Sequence, residues 1–281
     1  MKQQVWYVTG ASRGLGLSLV RNLLAQGYRV AATTRNLDSL KAAVDNETDQ
    51  FLPLVVNLSD EKSVADSIAA TVEHFGAIDV LVNNAGYGLI GSLEELSDEE
   101  VRQNFEVNVF GSLNVIRHAL PYMRRQQSGH IFNIASIGGF SGLYPGFGVY
   151  CATKFAVHGF SESLAEEVRP LGIKVTIVSP GYFRTSFLDA STSLGTPRQE
   201  IADYKLVREV QQQHQQGINY NQPGDPEKAA IAMIAIAQKG APVLHLFLGQ
   251  DAYDTAAAKI RLVQEELEAV RPLATATGID A

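Results

Sequence analysis

Tyr150 and Lys154, in the stretch YCATK, set a phenol and an amine four residues apart among small and apolar neighbours. On a helix, positions i and i+4 share a face, so the amine lies one turn from the phenol. A phenol can give a proton to an alkoxide at neutral pH, and an ammonium beside it favours the anion and lowers a pKa that is ordinarily ~10. The chemistry open to such a pair is proton transfer at an oxygen, as carbonyl reduction requires once a hydride donor is present. A Tyr and a Lys at this spacing also suit an exposed helix face. What sets this pair apart is its company: NIAS fourteen residues upstream, and a glycine-rich turn near the N-terminus.

That turn, TGASRGLG at residues 9–16, follows the first strand pattern and opens the first helix. Gly10, Gly14 and Gly16 permit a tight turn that brings backbone N–H groups and a helix N-terminus against a pyrophosphate, with Ser12 and Leu15 in the same turn. Dinucleotide folds often place an acid after the second strand to hold the adenosine ribose. Here Thr34 is followed by Arg35. Arginine pairs with a 2′-phosphate that an acid would repel, and Arg13 could reach the same group, so NADPH is expected over NADH. A solvated surface charge is the other reading of each arginine.

These residues need a scaffold, and the sequence describes one. The runs QVWYVT, YRVAATT, FLPLVV, DVLVNN, GHIFNIAS, IKVTIVS and VLHLFLG read as strands alternating with amphipathic segments, the pattern of a parallel sheet covered by helices on both faces. The first six are nearly continuous apolar runs, as expected of strands buried on both sides. The fold class is therefore α/β, a single doubly wound domain over residues 1–281. Ser97 and Glu100 have capping-box spacing at the head of a long helix over about 98–126. Residues 182–222 interrupt the alternation with no clear strand. They form a lid ahead of the last helix and strand, in which the glutamine run at 211–216 reads as a solvated helix face. A C-terminal helix over about 251–270 precedes a tail, from Arg271, expected to be mobile.

Composition narrows the function further. With 46% apolar residues, 19% charged and a net charge of −7, the chain can bury a full core but has no basic stripe for duplex nucleic acid. The N-terminal apolar run is too short for a signal peptide or a membrane span. The lone Cys151 has no intramolecular partner, and no Cys/His cluster has zinc spacing, so no metal is expected. A cytoplasmic location is the reading. Cys151 is assigned to packing, and His158 to packing or an interface rather than to a base.

Taken together, TGxxxGxG, NNAG at 83–86, a helix asparagine, the upstream serine, YxxxK and PG after the sixth strand resemble, in order, the classical short-chain dehydrogenases/reductases. The resemblance spans residues 4 to about 250. It implies a Rossmann-type seven-stranded sheet of order 3-2-1-4-5-6-7 and a catalytic tetrad of Asn108, Ser136, Tyr150 and Lys154. Ser136, ending the fifth strand, would donate to the substrate oxygen. Lys154 would also hold the nicotinamide ribose, and Asn108 a water linking Lys154 to solvent. On the cofactor the resemblance places Asn83, Ala85 and Gly86, then Pro180, Gly181, Phe183 and Thr185, the last of which could equally be a helix cap. Asn57, followed by Leu58, stands where the family commonly has an aspartate against the adenine.

For the substrate pocket, Ile90, Phe140, Leu143, Tyr144, Phe147, Tyr182, Phe187 and Leu188 are the expected walls. They favour an apolar or aromatic ketone or aldehyde over a phosphorylated sugar or a carrier-bound thioester. The stretch from Tyr87 to Arg124 looks like the branch with retinol and 17β-hydroxysteroid dehydrogenase-like members. The two long helices form, in this family, a four-helix bundle across a two-fold axis, with Gly159, Phe160 and Leu164 suited to the contact, so a homodimer or homotetramer is expected. Two other functions are kept open: an NADP-sensing regulator without turnover, which degenerate catalytic positions would mark, and a sugar-nucleotide epimerase or dehydratase, which would need a substrate domain absent here.

Overall fold

The computed structural model describes residues 3–45, 48–239 and 243–279. All seven apolar runs are strands: β1 Val5–Val8, β2 Arg29–Thr34, β3 Phe51–Val55, β4 Val80–Asn83, β5 Gly129–Ile134, β6 Ile173–Pro180 and β7 His245–Leu248. They pair in parallel in the order β3-β2-β1-β4-β5-β6-β7. The order reverses between β1 and β4, and at such a switch point the loops at the carboxyl ends part and leave a crevice.

Alternate strand residues feed two cores. Trp6, Val8, Val30, Val82, Phe132 and Val178 pack against α1 (Gly14–Ala25), α2 (Leu37–Val44) and α8 (Pro226–Gln238). Val5, Tyr7, Leu81, Ile131 and Val175 pack against α3 (Glu61–Phe75), α5 (Gly111–Gln126) and α6 (Gly148–Val168). Both faces being covered explains why the strands read as apolar runs without alternation. Among the described residues, no helix is long and apolar enough to cross a membrane.

The expected helix over 98–126 is one continuous rod with an internal defect. α4 (Asp98–Phe105) begins at a capping box in which the Ser97 N–H donates to Glu100 at 2.8 Å and the Glu100 N–H to the Ser97 hydroxyl at 3.3 Å. A π-helical turn, Glu106–Phe110, then joins it to α5. Single π turns gather at functional sites, and this one carries Asn108.

Three features depart from the sequence reading. Residues 182–222 do contain a strand: Leu194–Gly195 pairs with Gly88–Leu89 in a two-stranded ladder too short to show a pattern. The rest of the lid holds α7 (Lys205–Gln212), continued by a π segment, Gln213–Ile218. The last helix, α9 (Gln250–Thr275), runs past Arg271 and through Pro272. There Arg271 pairs with Glu268, and the Thr275 hydroxyl donates to the Arg271 carbonyl at 2.8 Å, which sustains the final turn.

A buried polar chain crosses the middle of the sheet. Asn83 Nδ2 donates to Asn133 Oδ1 at 2.9 Å, and Asn133 Nδ2 to the Ser161 hydroxyl at 2.8 Å. An unpaired buried donor costs about 1–3 kcal/mol. Asn133→Ala should therefore lower unfolding stability by roughly 3 kcal/mol, read from urea denaturation; a loss under about 0.5 kcal/mol would show that the chain is not a structural tie.

Candidate active site

A cleft of about 1130 Å³ opens along the carboxyl edge of the sheet. One end is built by the glycine turn. Gly10 and Gly14 have positive φ, of 65° and 58°, which side chains rarely tolerate, and a Cβ on Gly10 would come within 2.8 Å of the Ala85 backbone. The turn is held by NNAG: Asn84 Nδ2 donates to the Thr9 and Gly10 carbonyls at 2.9 and 3.0 Å, and the Thr9 hydroxyl accepts the N–H groups of Asn84 and Ala85 at 3.0 Å. The N-terminus of α1 faces the cleft with no side-chain cap and no acid in its first turn, so its N–H groups are available to an anion. Among the described residues, the cleft is lined by Arg13, Arg35 and Lys154 and by no carboxylate. These features fit a dinucleotide pyrophosphate.

At the other end, β5 delivers Ser136 and α6 delivers Tyr150 and Lys154. The Ser136 hydroxyl accepts the Gly138 N–H at 3.1 Å and is hydrogen-bonded to the Tyr150 side chain. Lys154, only 4% exposed, donates to the Ile134 carbonyl at 2.9 Å and lies 5.9 Å from the centre of the Tyr150 ring. Asn108 is fixed behind the wall: its Oδ1 accepts the Tyr87 N–H at 3.0 Å, and its Nδ2 donates to the Tyr87 carbonyl and the Thr153 hydroxyl at 3.0 and 3.1 Å. A Cβ on Gly86 would lie 2.9 Å from Asn108 Oδ1 and 3.5 Å from Lys154 Nζ, so these two polar groups meet at a glycine.

The sequence profile of the short chain dehydrogenases matches residues 4–193. The chain belongs to that family. Among its relatives is a 3-ketodihydrosphingosine reductase of Bacteroides thetaiotaomicron, 37% identical, with 86% of this chain and 87% of the relative covered. A short-chain dehydrogenase of Streptomyces avermitilis has a solved structure similar to this one, with a TM-score of 0.91 at 36% identity over 99% of this chain and 100% of that one. An alcohol dehydrogenase of Thermococcus sibiricus, solved with 5-hydroxy-NADP, gives a TM-score of 0.70 at 26% identity over 88% and 96% of the two chains.

In this dehydrogenase, Gly10, Ser12, Arg13, Gly14, Leu15, Arg35, Asn57, Leu58, Ala85, Gly86, Pro180, Gly181, Phe183 and Thr185 line the cleft. Gly16 does not; it packs under the turn, where a Cβ would strike the Asn84 side chain and the Gly10 carbonyl. Asn83 also faces away, spent on Asn133, and Asn84 stands at the cleft in its place. Asn57 folds its Oδ1 onto the Ser59 N–H at 3.2 Å. Arg13 reaches the Thr192 carbonyl in the lid at 3.4 Å. Thr185 both lines the cleft and caps a short turn, accepting the Phe187 N–H at 3.3 Å.

Of the expected pocket walls, Tyr144, Phe147, Tyr182, Phe187 and Leu188 line the cleft. Ile90 is fully buried behind Phe147, Phe140 packs on Phe247 and toward His158, and Leu143 is 71% exposed on a loop. Among the lining residues that went unread in the sequence are His214 and Gln222. His214, the inward side chain of the glutamine run, accepts the Tyr182 hydroxyl at 2.9 Å while its Nδ1 donates to the Val210 carbonyl at 2.8 Å. Gln222 donates to the Thr185 carbonyl at 3.3 Å, and its buried Oε1 has no partner among the described residues, an acceptor suited to a carboxamide or other donor in the cleft. A lone His in a polar run and a Gln before a Pro-Gly turn give no sign of either role.

The lid is tied to the segment before α4 by a carboxylate with no exposed side-chain surface. Glu95 accepts the N–H groups of Ile201 and Ser92, each at 2.8 Å, and pairs with Arg208 at 2.8 Å. Burial pushes its acid up, but these donors outweigh it and hold the pKa below the ordinary value.

Burial rules the reacting end. It pushes the Tyr150 phenol well above its ordinary pKa, and the Ser136 hydrogen bond offsets this only in part. It also drives Lys154 down from 10.5 to about 8. The expectation that Lys154 depresses the Tyr150 pKa is thus not met, because the same burial that brings the amine close disfavours both charges. The sign for stability follows. Between about pH 8 and 10.5 the unfolded chain holds a proton on this lysine that the folded chain releases, so folding is penalised in full below that window and relieved as pH rises through it. Allowing for the hydrogen bond to Ile134, Lys154→Met should raise stability at pH 7 by about 1–2 kcal/mol without added nucleotide, a gain that shrinks by pH 10. Denaturant titration at both pH values checks this.

Proposed function

We propose that the protein is an NADPH-dependent reductase that converts the carbonyl of an apolar or aromatic ketone or aldehyde to an alcohol, reversibly. The observation that carries this reading is the cleft itself: in a chain of net charge −7, it is lined, among the described residues, by three cations and no carboxylate, and it ends at a Tyr150–Ser136 pair among aromatic walls. Arg35 makes no hydrogen bond or ion pair among the described residues, which leaves its guanidinium for a 2′-phosphate. A nicotinamide dinucleotide bound here supplies the hydride.

The chain's own residues do the rest. Phe147, Phe187 and Leu188 exclude water and orient an apolar substrate. A relative named for reducing a ketone supports that reading. Ser136 donates to the carbonyl oxygen, and Tyr150, kept protonated by its burial, gives its proton as charge develops there. Lys154 would hold the ribose hydroxyls and, with Asn108 beyond Gly86, return a proton toward Tyr150.

A homodimer or homotetramer joined through α4, α5 and α6 is part of this proposal. Phe110 and Phe155, 50% and 45% exposed, mark that surface, with Gly159 beside them. Phe160 and Leu164 pack into the core instead. A single, buried cysteine suits the cytoplasm.

Two substitutions test the reading. Tyr150→Phe should leave NADPH binding, followed by nucleotide fluorescence, within about threefold while lowering turnover by roughly two to four orders of magnitude. Undiminished turnover would remove Tyr150 from the chemistry. Arg35→Ala should raise the KM for NADPH at least about tenfold more than that for NADH, the worth of a charge-assisted pair; equal effects would put the 2′-phosphate elsewhere.

A further inference from the structure

Behind the floor of the cleft, three side chains that the proposed reaction does not use converge on one point. His158 and Glu162 stand one turn apart on α6, and His245 begins β7 at the sheet edge. One potential ligand atom from each lies within 4.8 Å of the others. His245 Nε2 is 3.9 Å from Glu162 Oε1, long for an ion pair, and the His158 and His245 rings lie nearly parallel with centres 5.9 Å apart.

His158 differs from a surface histidine in ways that matter for coordination. It is 5% exposed, and its Nε2 is 3.0 Å from the Ser179 hydroxyl. Its Nδ1 makes no hydrogen bond among the described residues. A ligating histidine is typically fixed by a hydrogen bond through its other nitrogen, the part Ser179 can play here.

We propose that His158, Glu162 and His245 form a binding site for a divalent transition-metal ion of the zinc type, with water completing the coordination. Two imidazoles and one carboxylate are the donor set that such ions prefer over calcium or magnesium. Zinc–ligand bonds of about 2.1 Å put neighbouring donors roughly 3.4 Å apart in a tetrahedron. The site needs only a small closure, and the two residues that must move, Glu162 and His245, are the exposed ones. The ion would join α6, one turn past Lys154, to the edge strand and to Ser179, which leads into Pro180 and Gly181. Its role is structural: it would clamp the elements that carry the reacting end.

The test is titration of the tag-free, chelator-treated full chain with Zn(II) by calorimetry, and with Co(II) by visible absorption. One equivalent should bind with the intense bands of a low-coordinate Co(II), and Zn(II) should raise the melting temperature. His245→Ala and Glu162→Gln, both at exposed positions, should each weaken binding by more than about tenfold and remove the thermal shift. His118→Ala, at the separate pair with Glu61, should leave both unchanged. Absence of Zn(II) binding by the wild-type chain, or binding that survives His245→Ala and Glu162→Gln, would overturn the proposal.

Discussion

A lysine amine held out of water at the carboxyl edge of a parallel sheet is the constraint around which the rest of this protein is arranged. Lys154 is tied to the carbonyl of Ile134, the last residue of β5, and sits one turn below Tyr150. Burial disfavours its charge and that of the tyrosinate alike. The site therefore comes at a cost in folding free energy, which the two apolar cores on either side of the sheet must offset. The same burial keeps the phenol protonated, the state a proton donor needs.

Around that amine the neighbouring elements have little freedom. Gly86 must lack a side chain because Asn108 and Lys154 meet there. Asn108 is aimed by a π turn that interrupts an otherwise regular helix. Gly181 lies against the Asp251 carboxylate, which also accepts the Tyr182 N–H at 2.7 Å, so the first turn of α9 supports the loop after β6. The lid is set from its far side by the buried Glu95 and its donors. Cleft walls are thus held by backbone ties from several elements, and its side chains are left to the ligand.

Legibility in the sequence followed the range of the physics involved. Strands, the capping box at Ser97 and the glycine turn rest on local periodicity and local backbone need, and these were readable. YxxxK was readable because one helical turn fixes two side chains relative to each other. What escaped depends on long-range partners. Asn83 and Asn84 are adjacent and chemically identical, yet one pairs inside the sheet with Asn133 and the other holds the glycine turn. Ile90, Phe140 and Leu143 have apolar side chains like the true walls, but the fold turns them to the core, to Phe247 and to solvent. The two-residue ladder between Leu89 and Gly195 and the inward turn of His214 arise only when the lid packs.

The central claim is that this cleft brings a hydride from a nicotinamide to the carbon of an apolar carbonyl. Its most direct test is to supply NADPH deuterated on the nicotinamide carbon that gives up hydride, together with a panel of long-chain and aromatic ketones, and to examine the alcohol by mass spectrometry and NMR. The account predicts deuterium on the carbinol carbon, from one face of the nicotinamide only. Alcohol formed without the label, or no alcohol from any ketone in the panel while NADPH is demonstrably bound, would contradict it.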